Sequence, residues 1–308
     1  MSNHAVSPLF LCVGDVDVDV LVAVDHLPTR DGKVNGRLLQ RVPGGMAGNV
    51  SVALARLGAR VRIVGRVGGD ADAAFVLQGL RDAGIDTGFV ARLEQESTFT
   101  CIGLITPDGE KSLVKLMTPT YWPDAADLTD AACCDVTHLH LTSVGDGALC
   151  RRVVEAARQA GATASLDVER ADCPADPDGL AAAIRGFDLL FCNAESREMA
   201  DRLLPIPLPD LVAEVVTTLG AAGARVESDG TMIEAAGCAA AVKDTTGAGD
   251  CFAAACLHAR LLQRLDWAES LRFANCAAAL STTGYGAQSA LPDLLQVAAA
   301  LARQPGTR

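Results

Sequence analysis

The sequence predicts an α/β fold, a mainly parallel sheet covered by helices on both faces, and three observations carry that reading. Short runs rich in Val, Ile and Leu alternate with longer Ala-rich stretches, the rhythm of right-handed β-α-β crossovers. Several helical stretches stop at a glycine suited to the left-handed C-cap position: Gly58 after Leu57, Gly84 after Ala83 and Gly161 after Ala160. The chain has 308 residues, 50% of them hydrophobic and 21% charged. A globular chain of that size buries roughly 75% of its unfolded surface, so its core requires no disulfide or structural metal.

Residues 9–13 read as the first strand. Residues 15–24 (DVDVDVLVAV) alternate with period two, and 34–42 is a second extended segment. Alternating strands expose one face, unlike the buried strands of a parallel sheet. Helix 47–57, strand 61–65 and helix 71–83 follow. Residues 98–105 and 110–116 flank Thr106-Pro107-Asp108-Gly109, a hairpin turn with Pro pre-set for its second position. Segments 15–42 and 98–116 together make a small β-lid inserted into a single domain spanning 1–308. The main rhythm resumes with strand 136–141, helix 147–160, strands 163–167 and 188–192, and helices 208–222, 249–264, 267–282 and 292–303.

The formal net charge is −12, from 38 acidic and 26 basic residues, and no cluster of Lys and Arg stands out. Non-specific nucleic-acid binding needs such a cluster, so that class is excluded. No run reaches the roughly 18 apolar residues of a membrane span. The N-terminal stretch lacks a basic start, and its apolar run stops at Asp15, so no secretory signal is expected there. Eleven cysteines without a C-x-x-C pair read as free thiols in a reducing compartment, and a cytoplasmic location is expected. No G-x-G-x-x-G follows the first strand, which argues against a dinucleotide-dependent oxidoreductase.

The most informative stretch is Asp244-Thr245-Thr246-Gly247-Ala248-Gly249-Asp250, which opens an Ala-rich helix. Gly-Ala-Gly at a helix start lets bare backbone N–H groups approach an anion, where the helix dipole adds positive potential. Asp250 at that spot either caps the helix or sits beside the anion and takes a proton from an incoming hydroxyl. A phosphate cradle with a general base is what phosphoryl transfer to an alcohol needs. The second stretch, Pro43-Gly44-Gly45-Met46-Ala47-Gly48-Asn49, is a glycine-rich turn into a helix, either a tight connection or a close approach to a ligand.

Together these stretches resemble the two signatures of the ribokinase / phosphofructokinase-B family of carbohydrate and nucleoside kinases: G-G-M-A-G-N…A-L-A-R-L-G-A…V-G-R-V-G-G-D across 44–70, and D-T-T-G-A-G-D-C-F across 244–252. Their order, their separation and the chain length also fit, so the resemblance covers 9–303. It implies a ribokinase-like three-layer fold and transfer of the γ-phosphate of ATP to a hydroxyl of a small sugar, with Mg2+ as cofactor. Asp250 would be the general base, and Gly247, Ala248 and Gly249 the anion hole. Asp19, which ends the first-strand segment Gly14–Asp19, would grip sugar hydroxyls, with Gly45 and Asn49 beside it. Asp15 and Asp17 read instead as the solvated face of an alternating strand. Thr218, Gly220 and Gly223 match a segment that borders ATP, and Asn275 falls at the adenine pocket; helix caps and helix faces use the same residue types. Asn193 starts an N-x-x-E segment near magnesium and the phosphates, but Ser196 stands where the family has Glu. Glu195 or Glu198 then substitutes, or magnesium is held through water and phosphate. Asp244, Thr246 and Gly286 correspond to a monovalent-cation site of some relatives, which leaves potassium activation open.

A nucleoside kinase and a non-catalytic sugar- or nucleotide-binding relative are the rival readings. The low aromatic content of 4% disfavours the first, and the intact Gly247–Asp250 segment the second. A phosphorylated acceptor would need a basic group, for which Lys33, Arg37 and Lys115 are available. His138-x-His140 reads as a pair of core histidines, and Cys133-Cys134 as unbonded neighbours. Cys251 is a candidate for inactivating alkylation although the chemistry needs no thiol. Trp122 either closes over the ligand or plugs the lid against the main domain. Exposed lid strands offer an edge for a homodimer.

Overall fold

The first strand is apolar on both faces, and a strand of that kind belongs inside a sheet with a layer on each side. It lies there in this computed structural model, which describes residues 7–107 and 111–303. The chain runs through β1 (Leu9–Val13), β2 (Asp17–Val24), β3 (Gly36–Gly44), α1 (Met46–Arg56), β4 (Arg60–Gly68), α2 (Ala71–Asp82), β5 (Asp86–Leu93), β6 (Thr100–Ile105) and β7 (Lys111–Leu116). It continues through β8 (His138–Leu141), α3 (Gly147–Ala160), β9 (Thr163–Val168), α4 (Pro177–Ile184), β10 (Leu189–Asn193) and α5 (Ala194–Leu203). The last elements are β11 (Glu214–Thr218), β12 (Gly223–Ser228), β13 (Thr231–Ala236), α6 (Ala248–Leu261), α7 (Trp267–Ser281) and α8 (Leu294–Arg303).

The central sheet has the order β13-β12-β11-β10-β9-β8-β1-β4-β5. It is parallel from β11 to β5, and β12 and β13 run antiparallel at one edge. Phe10 and Cys12 of β1 join a core with α1, α6, α7 and α8, while Leu9, Leu11 and Val13 join the opposite core with α3 and α4. This is the three-layer α/β/α arrangement the sequence predicts. Strand order reverses at β1, and such a switch point opens a crevice beyond the carboxyl ends of the strands. The glycines expected to end helices do so, with φ of +85° at Gly58, +80° at Gly84 and +64° at Gly161.

A second sheet, β3-β2-β6-β7, forms the lid. Strands β2 and β6 are parallel, and the outer strands pair antiparallel. The lid expected at 15–42 and 98–116 occupies Asp17–Gly44 and Thr100–Leu116. Asp108 and Gly109 of the expected turn lie outside the described residues; the Ile105↔Lys111 pairing across it is that of a hairpin.

The expected helix 208–222 is a strand instead. Glu214–Thr218 forms β11 between two short 3-10 turns, Leu208–Asp210 and Gly220–Ala222. Val215, Val216, Thr217 and Thr218 are consecutive β-branched residues, stiff at χ1 and suited to a pleated surface, and Pro207 and Pro209 break any helix before them. Helices α4 and α5 and strands β5, β12 and β13 were not foreseen. Yet Asp176 caps α4 by accepting the Gly179 N–H at 2.6 Å, with Pro177 at the first helical position. The β12–β13 hairpin turns through Asp229 and Gly230, both with positive φ, a two-residue Asp-Gly connection.

Asp70 ties the main domain to the lid. Its Oδ1 accepts the Ala73 N–H at 2.9 Å, capping α2, and the Thr98 hydroxyl at 2.6 Å; its Oδ2 accepts the Thr98 N–H at 2.8 Å, just before β6. Burial raises its proton affinity, but these donors outweigh burial and hold the carboxyl below the usual range. Asp70→Ala is expected to cost about 1–2 kcal/mol in urea unfolding at neutral pH. The cost should shrink as the pH falls through the native pKa, where the wild-type carboxyl is itself protonated.

Candidate active site

Three carboxylates follow β1 at a spacing of two, Asp15, Asp17 and Asp19, and all three are buried. They are therefore not the solvated strand face expected of Asp15 and Asp17, because the Gly44-Gly45 turn and the start of α1 cover them. Asp15 accepts the Met46 N–H at 3.1 Å and the Ala47 N–H at 3.4 Å, so it holds the N-terminus of α1. Gly44 faces the other two: a Cβ there would stand 2.4 Å from Asp17 Oδ1 and 2.5 Å from Asp19 Oδ2. At Gly45, with φ +86°, a Cβ would meet the Asp15 carbonyl at 2.5 Å. Gly44 is thus fixed by carboxylates pressed against it, and Gly45 by its positive φ and the backbone of Asp15 and Val16.

Gly247, left-handed at φ +72°, opens α6 and puts Asp250 in its first turn. Asp250 makes no capping bond to its helix. Its Oδ2 instead accepts Asn49 Nδ2 at 2.8 Å, and Asn49 Oδ1 accepts Gln288 Nε2 at 3.0 Å. The base candidate is thereby oriented by an amide that is itself oriented. Gly247, Gly249 and Asp250 line a cavity of about 900 Å³ together with Asp17, Asp19, Gly45 and Asn49. Ala248 turns its N–H to the Thr245 carbonyl at 3.2 Å and lines an adjoining compartment of about 540 Å³. The two spaces share Thr218, Gly220, Thr245, Gly249 and Phe252, and together they form one elongated crevice.

Carboxylates gathered in one cavity raise one another's proton affinity. Burial pushes Asp250 up to about 7; the Asn49 bond pulls it down, and Asp15, Asp19 and Glu169 add to the rise. Burial likewise lifts Asp19 to about 6, with Lys111 easing the rise and Asp15 and Asp244 adding to it. Asp17 and Asp167 are driven well above the carboxylate range, first by burial and then by neighbouring negative charge. Asp244 goes the other way: despite burial, donors from Thr246 and Gly286 and the charge of Lys111 hold it low.

The sequence profile of pfkB family carbohydrate kinases matches residues 7–294. The chain belongs to that family. An ATP-dependent ribose-1-phosphate kinase of Halopiger xanaduensis is 31% identical over 301 residues, covering 96% of this chain and 98% of the relative. A solved structure of Arabidopsis thaliana ribokinase with ribose and ATP is 25% identical and superposes with a TM-score of 0.81, covering 97% and 99% of the two chains. An E. coli protein described as a ribokinase II, in complex with ATP and Mg2+, has a TM-score of 0.83 at 21% identity, covering 97% and 100%. This chain is accordingly a phosphotransferase of the carbohydrate-kinase type.

The residues expected at an ATP site come together. Asn193, Thr218 and Gly220 border the larger space, and Thr218, Gly220, Gly223 and Asn275 border the smaller. Two have structural work as well. Asn193 caps α5 by accepting the Ser196 N–H at 2.8 Å. Asn275 spends its amide hydrogens on the carbonyls of Ala235 and Ala236 at 3.0 and 3.1 Å, leaving only its own carbonyl for a nucleobase. Asp244, Thr246 and Gly286 also meet: the Asp244 carboxylate accepts the Thr246 N–H and hydroxyl and the Gly286 N–H. Of the two glutamates considered for the N-x-x-E position, Glu195 lines the cavity and pairs with Arg170, whereas Glu198 pairs with Arg202 outside it.

Other expectations are revised. Cys251 is buried with its thiol pushed up to about 12 by burial, an environment that works against alkylation. Trp122 packs on Gly145 and Tyr121 and does not line the cavity, so it plugs the lid base. Lys33 and Arg37 are exposed and away from the cavity, while Lys115 lines it. The histidines are core residues: His138 bonds Thr163 and Ser165, His140 bonds Ser165, and burial depresses both to about 3. Sequence reasoning missed Asp17, Lys111, Asp167, Glu169 and Gln288. Asp17 and Lys111 carried a signal, since each shares the period-two face of a residue that had been singled out, Asp19 and Lys115.

Gly44→Ala is expected to raise the KM for the phosphoryl acceptor at least tenfold while leaving the KM for ATP within about threefold, because the new methyl displaces Asp17 and Asp19 alone. Steady-state kinetics of the two substrates check this.

Proposed function

We propose that this carbohydrate kinase transfers the γ-phosphate of ATP to a hydroxyl of a small sugar or sugar derivative, with Asp250 as the general base. The observation that carries the proposal is the Asp250 carboxylate, held by Asn49 at the point where the polar end of the crevice meets the N-terminus of α6. A carboxylate with a pKa near 7 is matched to deprotonating an alcohol during attack at neutral pH.

Asp19, with Asp17 beside it, holds the acceptor hydroxyls, and Gly45 lets the sugar approach the backbone. The reacting O–H gives its proton to Asp250 as its oxygen bonds to the γ-phosphorus; the bond from that phosphorus to the β–γ bridging oxygen breaks, and ADP leaves. Gly247 and Gly249, at the positive end of α6, stabilise the charge on the phosphoryl oxygens, with Ala248 completing the turn. ATP lies along the smaller compartment past Thr218, Gly220, Gly223 and Asn275. Among the described residues no three side chains gather as metal ligands. The residues present therefore fit Mg2+ held chiefly through phosphate oxygens and water, with Glu169, Asn193 and Glu195 within the same cavity to orient those waters. When bound, Mg2+ would neutralise phosphate charge. Potassium at Asp244, Thr246 and Gly286 remains an assay variable.

The acceptor screen should contain ribose, ribose-1-phosphate, other free and phosphorylated sugars and nucleosides, read as ADP release with and without potassium. One acceptor well above the rest supports the proposal; ATP binding without turnover across the panel favours a non-catalytic binder. Asp250→Asn is expected to lose roughly 10²-fold or more in kcat with ATP binding retained. In the wild type kcat/KM for the acceptor should rise with pH and level off above about 7, as the base deprotonates. A flat profile would remove Asp250 from that role.

We also propose a homodimer through the lid and a cytoplasmic setting. Val114, Leu116 and Met117 are exposed on or just after β7, one outer lid strand, an apolar edge that a second copy would cover, and Leu38 is exposed on β3, the outer strand on the other side. Leu116→Lys should then convert a dimer to a monomer in sedimentation analysis; a wild-type monomer overturns it. All eleven cysteines are free thiols, which suits a reducing compartment. Among the described residues no helix is long and apolar enough to cross a membrane.

A further inference from the structure

We infer that Lys111, carried by lid strand β7, is a catalytic residue whose ammonium group meets the transferring phosphoryl. The inference rests on the proposed ATP-dependent transfer and adds to it a charge delivered by the lid.

Strand β7 places Lys111, Leu113 and Lys115 on its cavity side at a spacing of two. Four residues of strand separate the lysines by roughly 13 Å, so they serve different ends of the crevice. Lys115 is engaged at one end, donating to the Tyr121 hydroxyl at 2.7 Å and facing Asp172 at 3.4 Å. Lys111 reaches the other end and donates to Thr246 Oγ1, on the residue that precedes Gly247. Thr246 in turn gives its own N–H and hydroxyl hydrogen to Asp244. The ammonium is thus seated beside the anion-hole loop with further N–H donors to spare.

Charge balance gives that position its meaning. Among the described residues lining the larger cavity, Lys111 and Lys115 are the cations, set against the carboxyl groups of Asp15, Asp17, Asp19, Asp167, Glu169, Glu195 and Asp250, of which burial and neighbouring negative charge hold Asp17 and Asp167 well above the carboxylate range. A triphosphate entering there meets repulsion that partial charges at one helix end do not cancel, and with Lys115 paired to Asp172, Lys111 is the full positive charge near the anion hole. Asp19 and Asp244 both feel it, for Lys111 eases the proton affinity of each. Because Lys111 belongs to the lid, its charge reaches the phosphoryl site only with the lid seated on α6. Closure over the acceptor and stabilisation of the transferring group therefore come in one movement.

The alternative is a purely mechanical tie between lid and loop, and binding measurements separate the two. Lys111→Ala, Lys111→Met and Lys111→Arg are compared with wild type for kcat, for the KM of acceptor and ATP, and for calorimetric affinity toward AMPPNP and toward ADP. For Ala and Met we expect kcat to fall by roughly 10²-fold with acceptor KM within about threefold. Affinity for AMPPNP should weaken about tenfold and that for ADP hold, because the lysine meets only the terminal phosphate. Lys111→Arg should recover most of both losses. Equal weakening of AMPPNP and ADP, a change confined to acceptor KM, or unchanged kcat would each overturn the inference. The nucleotide-binding comparison needs no acceptor, so it tests Lys111 even if no acceptor is turned over, whereas wild-type ADP release and Asp250→Asn test the proposed function.

Discussion

The hydrogen bond from Asn49 to Asp250 joins two helix starts that lie 201 residues apart in sequence, and the rest of the site is arranged around it. Helices α1 and α6 both point their N-termini into the crevice, α1 steadied by Asp15 and α6 opened by a left-handed glycine. Two convergent positive helix ends are what make so many carboxylates tolerable in one cavity. The same bond fixes which oxygen of Asp250 is engaged and which remains for an incoming hydroxyl. Gln288 extends the arrangement to the segment before α8, so Asp250 is positioned from both ends of the chain.

The crevice divides its labour by chemistry. Its acidic end, under the lid, is made of side chains that exchange hydrogen bonds with hydroxyl groups. Its other end is bounded by Ala239, Ala240, Val242 and Ala278 with backbone glycines, a surface that suits the base of the ATP proposed above. The glycine loop of α6 stands where the two meet. In the proposed assignment, rigid strand ends from the central sheet hold the nucleotide side, while the lid sheet, joined to the main domain by contacts such as those of Asp70 with Thr98, holds the acceptor side.

Much of this was legible in the sequence, and the failures have physical causes. The order of layers followed from periodicity, and Gly247–Asp250 and Gly44–Asn49 stood out because a left-handed helix start and a close backbone approach need glycine at fixed places. Helix 208–222 failed because flanking alanines outweighed the β-branched core Val215–Thr218, a case where local residue type should have ruled over the wider window. Asp17 was misread because an alternating strand looks the same whether its polar face meets water or a glycine turn folded over it. Asp167, Glu169 and Gln288 were invisible for a different reason: nothing local marks them, and only the sheet topology brings β9 and the segment before α8 to β2. Lys111 lay two strand-face steps from a residue already considered, but which lysine reaches Thr246, beside the glycine loop of α6, is decided by the lid's register.

Asp17 shows what such a site demands of the protein around it. Its Oδ1 is buried and has no hydrogen-bond partner among the described residues, and burial, with neighbouring negative charge adding to it, pushes the carboxyl well above the usual carboxylate range. A fold selected for robustness alone would place an amide or a hydrocarbon there. That buried oxygen is thus a local weak point, a trade of resilience for readiness, and a ligand that offers a hydroxyl to it firms up the protein as well as binding to it.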